Sequence, residues 1–181
     1  MTTTIDIRQS LVGTWQLDPV HSSIGFEVPY LSGTFKGQFR DAEAKLTVHE
    51  GKADLEGLAR VASVDVKDEN LSAHLQSPDF FDAERHPELL FSAHDIDLDS
   101  ETVSASGTLT IKGVAKPVEV TGTLTPPMID AFGRERIGLV VSTAVNRQEF
   151  GVDYSMPLPS GEQAIGDEVA IVAELYFIRG S

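Results

Sequence analysis

The stretch Val103-Ser104-Ala105-Ser106-Gly107-Thr108-Leu109-Thr110-Ile111-Lys112, followed by Pro117-Val118-Glu119-Val120-Thr121-Gly122-Thr123-Leu124-Thr125, decides the fold. Val103, Ala105, Gly107, Leu109 and Ile111 alternate with Ser, Thr and Lys in the first run. Val118, Val120, Gly122 and Leu124 alternate with polar residues in the second. A period of two is the mark of a strand with one buried face. A turn over Gly113-Val114-Ala115-Lys116 sets Ile111 opposite Val118, Leu109 opposite Val120 and Gly107 opposite Gly122. That register gathers the apolar side chains on one face. Facing mid-strand glycines either permit a sharp bend or leave room for a ligand.

The same alternation extends outward along the chain. Ile24, Phe26, Val28 and Tyr30 share a face, and Phe35, Gly37 and Phe39 continue it in the next run. Ala44, Leu46 and Val48 follow, then Leu55, Gly57, Ala59 and Val61. Further strands fall near residues 88–98, 135–145 and 168–179. Roughly eight to ten short strands separated by Gly and Pro indicate an all-β antiparallel barrel or sandwich. One helical insert, near residues 68–86, interrupts the pattern. Asp68 can cap a helix in which Leu71 and Leu75 share a face, and Ser77-Pro78 ends it. Asp79 can cap a second turn beginning Phe80-Phe81, which His86-Pro87 stops. Such an insert suits a plug over one barrel end or a flap across a sheet edge.

Composition narrows the function classes. Among 181 residues, 14 Lys and Arg stand against 28 Asp and Glu, a formal net charge of −14. That surface repels nucleic-acid phosphates and anionic lipid headgroups. No cysteine is present, which excludes disulfides, thiolate metal sites and a cysteine nucleophile. With 41% hydrophobic residues the chain has a core to bury and is not a disordered acidic tail. Residues 1–12 read as a flexible N-terminal segment without the basic and apolar regions of a signal peptide, and 13–181 as one domain. No apolar run is long enough to span a membrane, and a cytoplasmic location is expected.

A catalytic constellation is not legible. His21, His49, His74, His86 and His94 show no zinc-hydrolase spacing, and no nucleophile elbow, phosphate-binding loop or dinucleotide fingerprint occurs. His74 and His86 could meet at the helical insert beside Asp82, but a solvated charged turn is the simpler reading. The distinctive feature is an apolar inner face rich in aromatics, Phe26, Tyr30, Phe35 and Phe39, with glycines at 37, 57, 107 and 122 among the inward positions. An eight-stranded barrel is just wide enough to be packed solid or to hold one slender ligand. The residues favour an apolar carrier over an enzyme.

Four segments resemble the YceI-like family of lipid- or polyisoprenoid-binding proteins. They are Trp15-Gln16-Leu17-Asp18-Pro19-Val20-His21-Ser22-Ser23-Ile24-Gly25-Phe26-Glu27-Val28; Ser77-Pro78-Asp79-Phe80-Phe81-Asp82 with His86-Pro87 and Phe91-Ser92; Leu109 through Val118; and Asn146-Arg147-Gln148-Glu149-Phe150-Gly151. In order they cover roughly residues 13 to 179. Gly13-Thr14-Trp15 also has the Gly-x-Trp form found at the first strand of lipocalins. The resemblance implies an extended, lipocalin-like antiparallel β-barrel holding a long prenyl chain, such as a polyprenyl pyrophosphate or an isoprenoid quinone. It implies binding without turnover, no cofactor or metal, and pairing as a homodimer. Two departures stand out: Tyr30 replaces the His that members commonly carry two residues after the Val of the first motif, and many members are exported to the periplasm.

On this reading Phe26, Val28, Phe35 and Phe39 line the channel, while Phe80 and Phe81 close or extend one wall. His21, Tyr30, Arg147 and Tyr154 are the candidates for a polar head group. Each has a structural alternative: Arg147 as a turn cap, His21 as a satisfied core histidine. The rival functions are a small hydrolase or isomerase around His21, His74 or His86, and a solid-packed structural or stress protein.

Overall fold

A computed structural model describes residues 10–98 and 101–180. Of the expected flexible segment, residues 1–9 lie outside the described residues. Ser10 to Val12 are packed against the barrel: Leu11 is fully buried, and Trp15 Nε1 donates to its carbonyl at 2.8 Å.

The first five strands are β1 (Gly13–Leu17), β2 (Ser23–Tyr30), β3 (Gly33–Phe39), β4 (Ala42–His49) and β5 (Lys52–Arg60). After the short β6 (Val64–Asp65) comes one helix, α1 (Glu69–Leu75). The chain returns through β7 (Glu88–Asp97), β8 (Thr102–Ile111), β9 (Val114–Leu124), β10 (Met128–Ile129), β11 (Glu135–Asn146) and β12 (Glu168–Arg179). All pairings are antiparallel, and the order β11-β9-β8-β7-β5-β4-β1-β12 closes because β12 also pairs β11. The result is an eight-stranded barrel, as the alternation and the resemblance led one to expect.

The barrel forks at β12. One edge of this strand runs along β11 from Arg136↔Ile178 to Asn146↔Glu168. Its other edge is shared: β1 takes the C-terminal part (Leu17↔Phe177) and β2 the N-terminal part (Phe26↔Ile171). Beyond β2 the sheet continues into β3 and β6, outside the ring. This splay flares the end at which β11 finishes and β12 begins. The opposite end is sealed by the fully buried Trp15, over whose ring the Arg179 guanidinium stands at 4.3 Å. Arg179 also donates to the carbonyls of Ser10 and Val12 and pairs with Glu135.

The β8–β9 hairpin differs from its expected register. Ile111 faces Val114, Leu109 faces Lys116 and Gly107 faces Val118. Lys112 and Gly113, at φ 53° and 77°, form a two-residue turn, the tight type whose twist matches its strands. The slip from the expected pairing is an even number of residues, so every side chain keeps its face. The expected second helical turn after Asp79 is also absent. The chain folds back on α1 instead, with the amides of Phe81 and Ala83 donating to the carbonyls of Leu75 and Gln76. The helix C-terminus thus satisfies acceptors it would otherwise leave bare, and Asp79 turns its carboxylate to His74 Nε2 at 3.0 Å. Asp68 caps α1 as expected, accepting from Leu71 N at 2.9 Å.

Candidate functional site

The barrel encloses a cavity of about 400 Å³ opening at the flared end. That volume lies within the range of small-molecule pockets. Its floor is made by inward residues of the ring, among them Leu55, Val120, Val141 and Leu175. Toward the opening, β2 and β3 contribute Phe26, Val28 and Phe35, and the segment after α1 contributes Phe80 and Phe81. Phe26, Phe39 and Phe81 form an aromatic cluster with centroids 5.5–6.2 Å apart, Phe81 edge-on to both partners. Edge-to-face contacts are a favoured arrangement for such rings and fix the wall. The helical insert is therefore part of the lining.

Of the residues singled out from sequence, Phe26, Val28, Phe35, Phe39, Phe80 and Phe81 all border this cavity, as do Tyr30, Arg147 and Tyr154. His21 does not border it; its Nδ1 pairs with Asp18 Oδ2 at 2.6 Å. Asp18 in turn accepts from Arg136 Nη1 at 2.7 Å, and Arg136 Nε donates to Asp130 at 2.6 Å. Burial alone would raise the Asp18 pKa, but the hydrogen bonds from Arg136, His21 and Val20 N outweigh it and bring it to about 2. This network tethers the β1–β2 connection to β10 and β11.

Arg147 is 5% exposed and is held by backbone carbonyls. Its Nε donates to Gly166 O at 2.8 Å, and Nη1 donates to Val152 O at 2.8 Å and Tyr154 O at 2.7 Å. Nη2 reaches Ile165 O at 3.4 Å and Asp167 Oδ1 at 3.5 Å. Carbonyls of the long β11–β12 connection that would otherwise be buried without partners are thereby satisfied. Asn146 caps the short turn Arg147–Phe150, its side chain accepting from Gln148 N at 2.9 Å.

The inward glycines play a different part from the one expected. A Cβ on Gly37 would lie 2.4 Å from Phe26 Cζ, and one on Gly107 2.7 Å from Phe91 Cζ. At Gly122 it would lie 1.8 Å from Val140 O. These three admit a ring or a neighbouring backbone, so they are packed and do not open the cavity. Gly57 alone of the four borders it.

Sequence reasoning missed several lining residues. Leu71, His74 and Leu75 come from α1, and Phe150, Met156 and Ile165 from the segment after β11. His74 stands edge-on to Phe80 at 5.0 Å and to Tyr154 at 5.1 Å. The i,i+4 pair Leu71 and Leu75 marked the helix face, but nothing in the sequence told which wall it would meet. His86 packs on the β8–β9 turn, where a Cβ on Gly113 would lie 2.6 Å from its ring, and does not join His74. Among the described residues there is no cluster of three or more His, Cys, Asp or Glu arranged to hold a metal ion. Nor, among them, is any helix long and apolar enough to cross a membrane.

Comparison with known proteins agrees with this architecture. The YceI-like domain model matches residues 15–177. A UPF0312 protein of Staphylococcus epidermidis is 30% identical over 174 residues, covering 90% of this chain and 96% of that one. The crystal structure of BcnA from Burkholderia cenocepacia superposes with a TM-score of 0.75 at 22% identity, covering 88% of this chain and 98% of that one. A polyisoprenoid-binding domain from Saccharophagus degradans, implicated in plant cell wall breakdown, superposes with a TM-score of 0.72 at 13% identity, covering 92% and 98%. With the family model spanning the barrel from Trp15 to Phe177, the chain belongs to the YceI-like family.

Proposed function

We propose that the protein binds and carries a long apolar chain, an isoprenoid lipid, in the barrel cavity and does not transform it. The observation that carries this reading is the apolar cavity, walled by aromatics at its open end and sealed at the other by Trp15 and Arg179. Burial is worth about 0.8 kcal/mol per methylene, so a prenyl tail brings ample driving force against the cost of ordering it. The polyisoprenoid-binding domain of Saccharophagus degradans, which shares the fold, supports the same ligand class. Phe26, Val28, Phe35, Phe39, Phe80 and Phe81 act as the walls of the channel. The cavity also weighs against a solid-packed barrel. The histidines favoured for an enzyme are dispersed: His21 lies outside the cavity, and His74 and His86 occupy separate contacts.

The test is extraction of the purified protein with organic solvent, followed by mass spectrometry and by titration of the emptied protein with a long-chain prenol. A co-purifying prenyl species, or saturable uptake of one prenol per chain, is the expected result. An empty extract together with no uptake sinks the proposal.

A further inference from the structure

Apolar side chains held out in water gather at the sealed end of the barrel, away from the cavity mouth. The four most exposed large apolar residues among those described are Val20 (84%), Phe132 (83%), and Met128 and Ile129 (71% each). Singly, exposed apolar residues are ordinary; four gathered on two linked segments mark an interaction surface. We infer that these segments form a docking surface for a partner protein that presents an apolar pocket rimmed by lysine and arginine. The inference stands apart from the carrier reading, since the cavity opens at the other end.

One guanidinium holds both segments. Arg136 Nη1 donates to Asp18 Oδ2 at 2.7 Å, and Asp18 Oδ1 accepts from Val20 N at 3.0 Å. Arg136 Nε donates to Asp130 Oδ2 at 2.6 Å, and Asp130 Oδ1 accepts from Phe132 N at 2.8 Å. The amides of the two most exposed apolar residues are thus fixed by the two carboxylates that share Arg136. Arg134 completes the hairpin tip. Its N and Nε donate to Asp130, each at 3.0 Å, and its guanidinium stands 5.3 Å from the Phe132 ring centroid. Met128 and Ile129, paired with Arg136 and Glu135, lie on the same hairpin. The fold uses the backbone of Val20 and Phe132 and leaves their side chains outside the core. Groups held in place before contact lose little freedom on binding, and an aromatic ring beside an arginine is the usual make-up of an interface anchor.

Charge selects the partner. Asp18 and Asp130 against Arg134 and Arg136 leave the surface itself without net charge, as does the Glu135–Arg179 pair beside it. Around it the chain is acidic, with a formal net charge of −14. Exposed Glu174 lies across from Ser23, where β2 leaves the Val20 segment. Exposed Glu101 lies at the foot of the hairpin, where its carbonyl accepts from Leu124 N. A neutral apolar centre within an acidic surround is complementary to an apolar pocket with a basic rim. A second copy of the chain and an anionic bilayer carry the same sign as this surround and are repelled. Docking here also leaves the cavity mouth open.

The experiment places the photo-crosslinker p-benzoylphenylalanine in the full chain, in its own cells, at position 132, at position 20 and, as a control, at the exposed Leu31 of the β2–β3 turn. One and the same protein is expected to be joined from 132 and from 20 and to be absent from 31. Purified, that protein is expected to bind the parent chain with an affinity that falls as salt rises. It is expected to bind Phe132→Ala, checked for an unchanged melting temperature, at least about tenfold more weakly. Arg136→Gln keeps Val20 and Phe132 but releases both segments: amide exchange should quicken at 18–22 and 128–134, and affinity should fall about three- to tenfold. Crosslinks between two copies of the chain, no protein adduct, or an affinity unmoved by salt and by Phe132→Ala overturns the inference. So does flotation of the parent with phosphatidylcholine vesicles that Phe132→Ala abolishes, which assigns the surface to lipid. Equal affinity of Arg136→Gln and the parent overturns Arg136 as the positioning residue.

Discussion

The ring of Phe26 occupies the place where residue 37 would carry a side chain: a Cβ on Gly37 would stand 2.4 Å from Phe26 Cζ and 2.7 Å from Val66 Cγ1. The two positions are directly paired across β2 and β3. Gly37→Ala therefore forces Phe26 toward the cavity or spreads the strands. Overpacking of this kind costs about 1–3 kcal/mol, and ligand affinity falls with it. Phe26→Leu in the same chain is expected to recover part of the loss. Urea denaturation of the two single variants and the double variant reads the coupling; strictly additive losses would contradict the packing relationship.

Gly57 offers the converse. A Cβ there would meet only Ala44 Cβ and Glu43 O at 3.5 Å, ordinary contact distances, and the residue borders the cavity. Gly57→Leu is expected to fill part of the channel, lowering affinity for a long prenol at least about tenfold. Stability should stay unchanged or rise by up to about 1 kcal/mol, because a mid-strand glycine is itself unfavourable. Titration calorimetry with denaturation as the control checks both halves. Undiminished binding would place the ligand elsewhere.

These two glycines show what the sequence could and could not say. Alternation marked Gly37, Gly57, Gly107 and Gly122 as inward, and it was right about the face in each hairpin. It could not say what fills an absent side chain, because that depends on partners distant in sequence, such as Val66 at Gly37 and Val140 at Gly122. The β8–β9 register failed for a local reason. Lys112-Gly113 supports a two-residue turn with both φ positive, so the apolar Val114 opens β9 opposite Ile111 and is not part of a longer turn. The cavity wall was legible where aromatics alternate along β2 and β3. In the β11–β12 connection only Arg147 and Tyr154 were legible; Phe150, Met156 and Ile165 were not, because the placement of that segment depends on the contacts of one buried guanidinium.

Acid should loosen the tether between the β1–β2 connection and β10–β11. Asp18, with an ordinary value of 3.8, is brought down to about 2. A carboxyl depressed in the folded chain binds its proton more weakly there than in the unfolded chain. Its stabilisation is thus complete above about pH 4 and disappears as the pH falls through about 2; at most it amounts to about 2 kcal/mol. Asp130 is lowered as well, chiefly by its hydrogen bond from Arg136. Asp18→Asn should be less stable than the parent at pH 7, with the gap closing between pH 4 and 2. A gap independent of pH in denaturant melts would mean that the Asp18 carboxylate charge is not what holds the tether.

Arg147→Lys separates a staple from a ligand contact. Lysine keeps the charge, but its ammonium cannot reproduce the planar fork that meets Gly166 O on one side and Val152 O and Tyr154 O on the other. At least one buried carbonyl loses its donor, so a loss of about 2–4 kcal/mol is expected. Amide exchange should quicken across residues 152–166, which Arg147 holds to the barrel. A head-group role predicts the opposite pattern: near-native stability and exchange, with retained affinity for an anionic ligand, since an ammonium serves well as a point charge for phosphate. Hydrogen exchange by mass spectrometry on the emptied protein distinguishes the two, because the staple acts whether or not a ligand is bound.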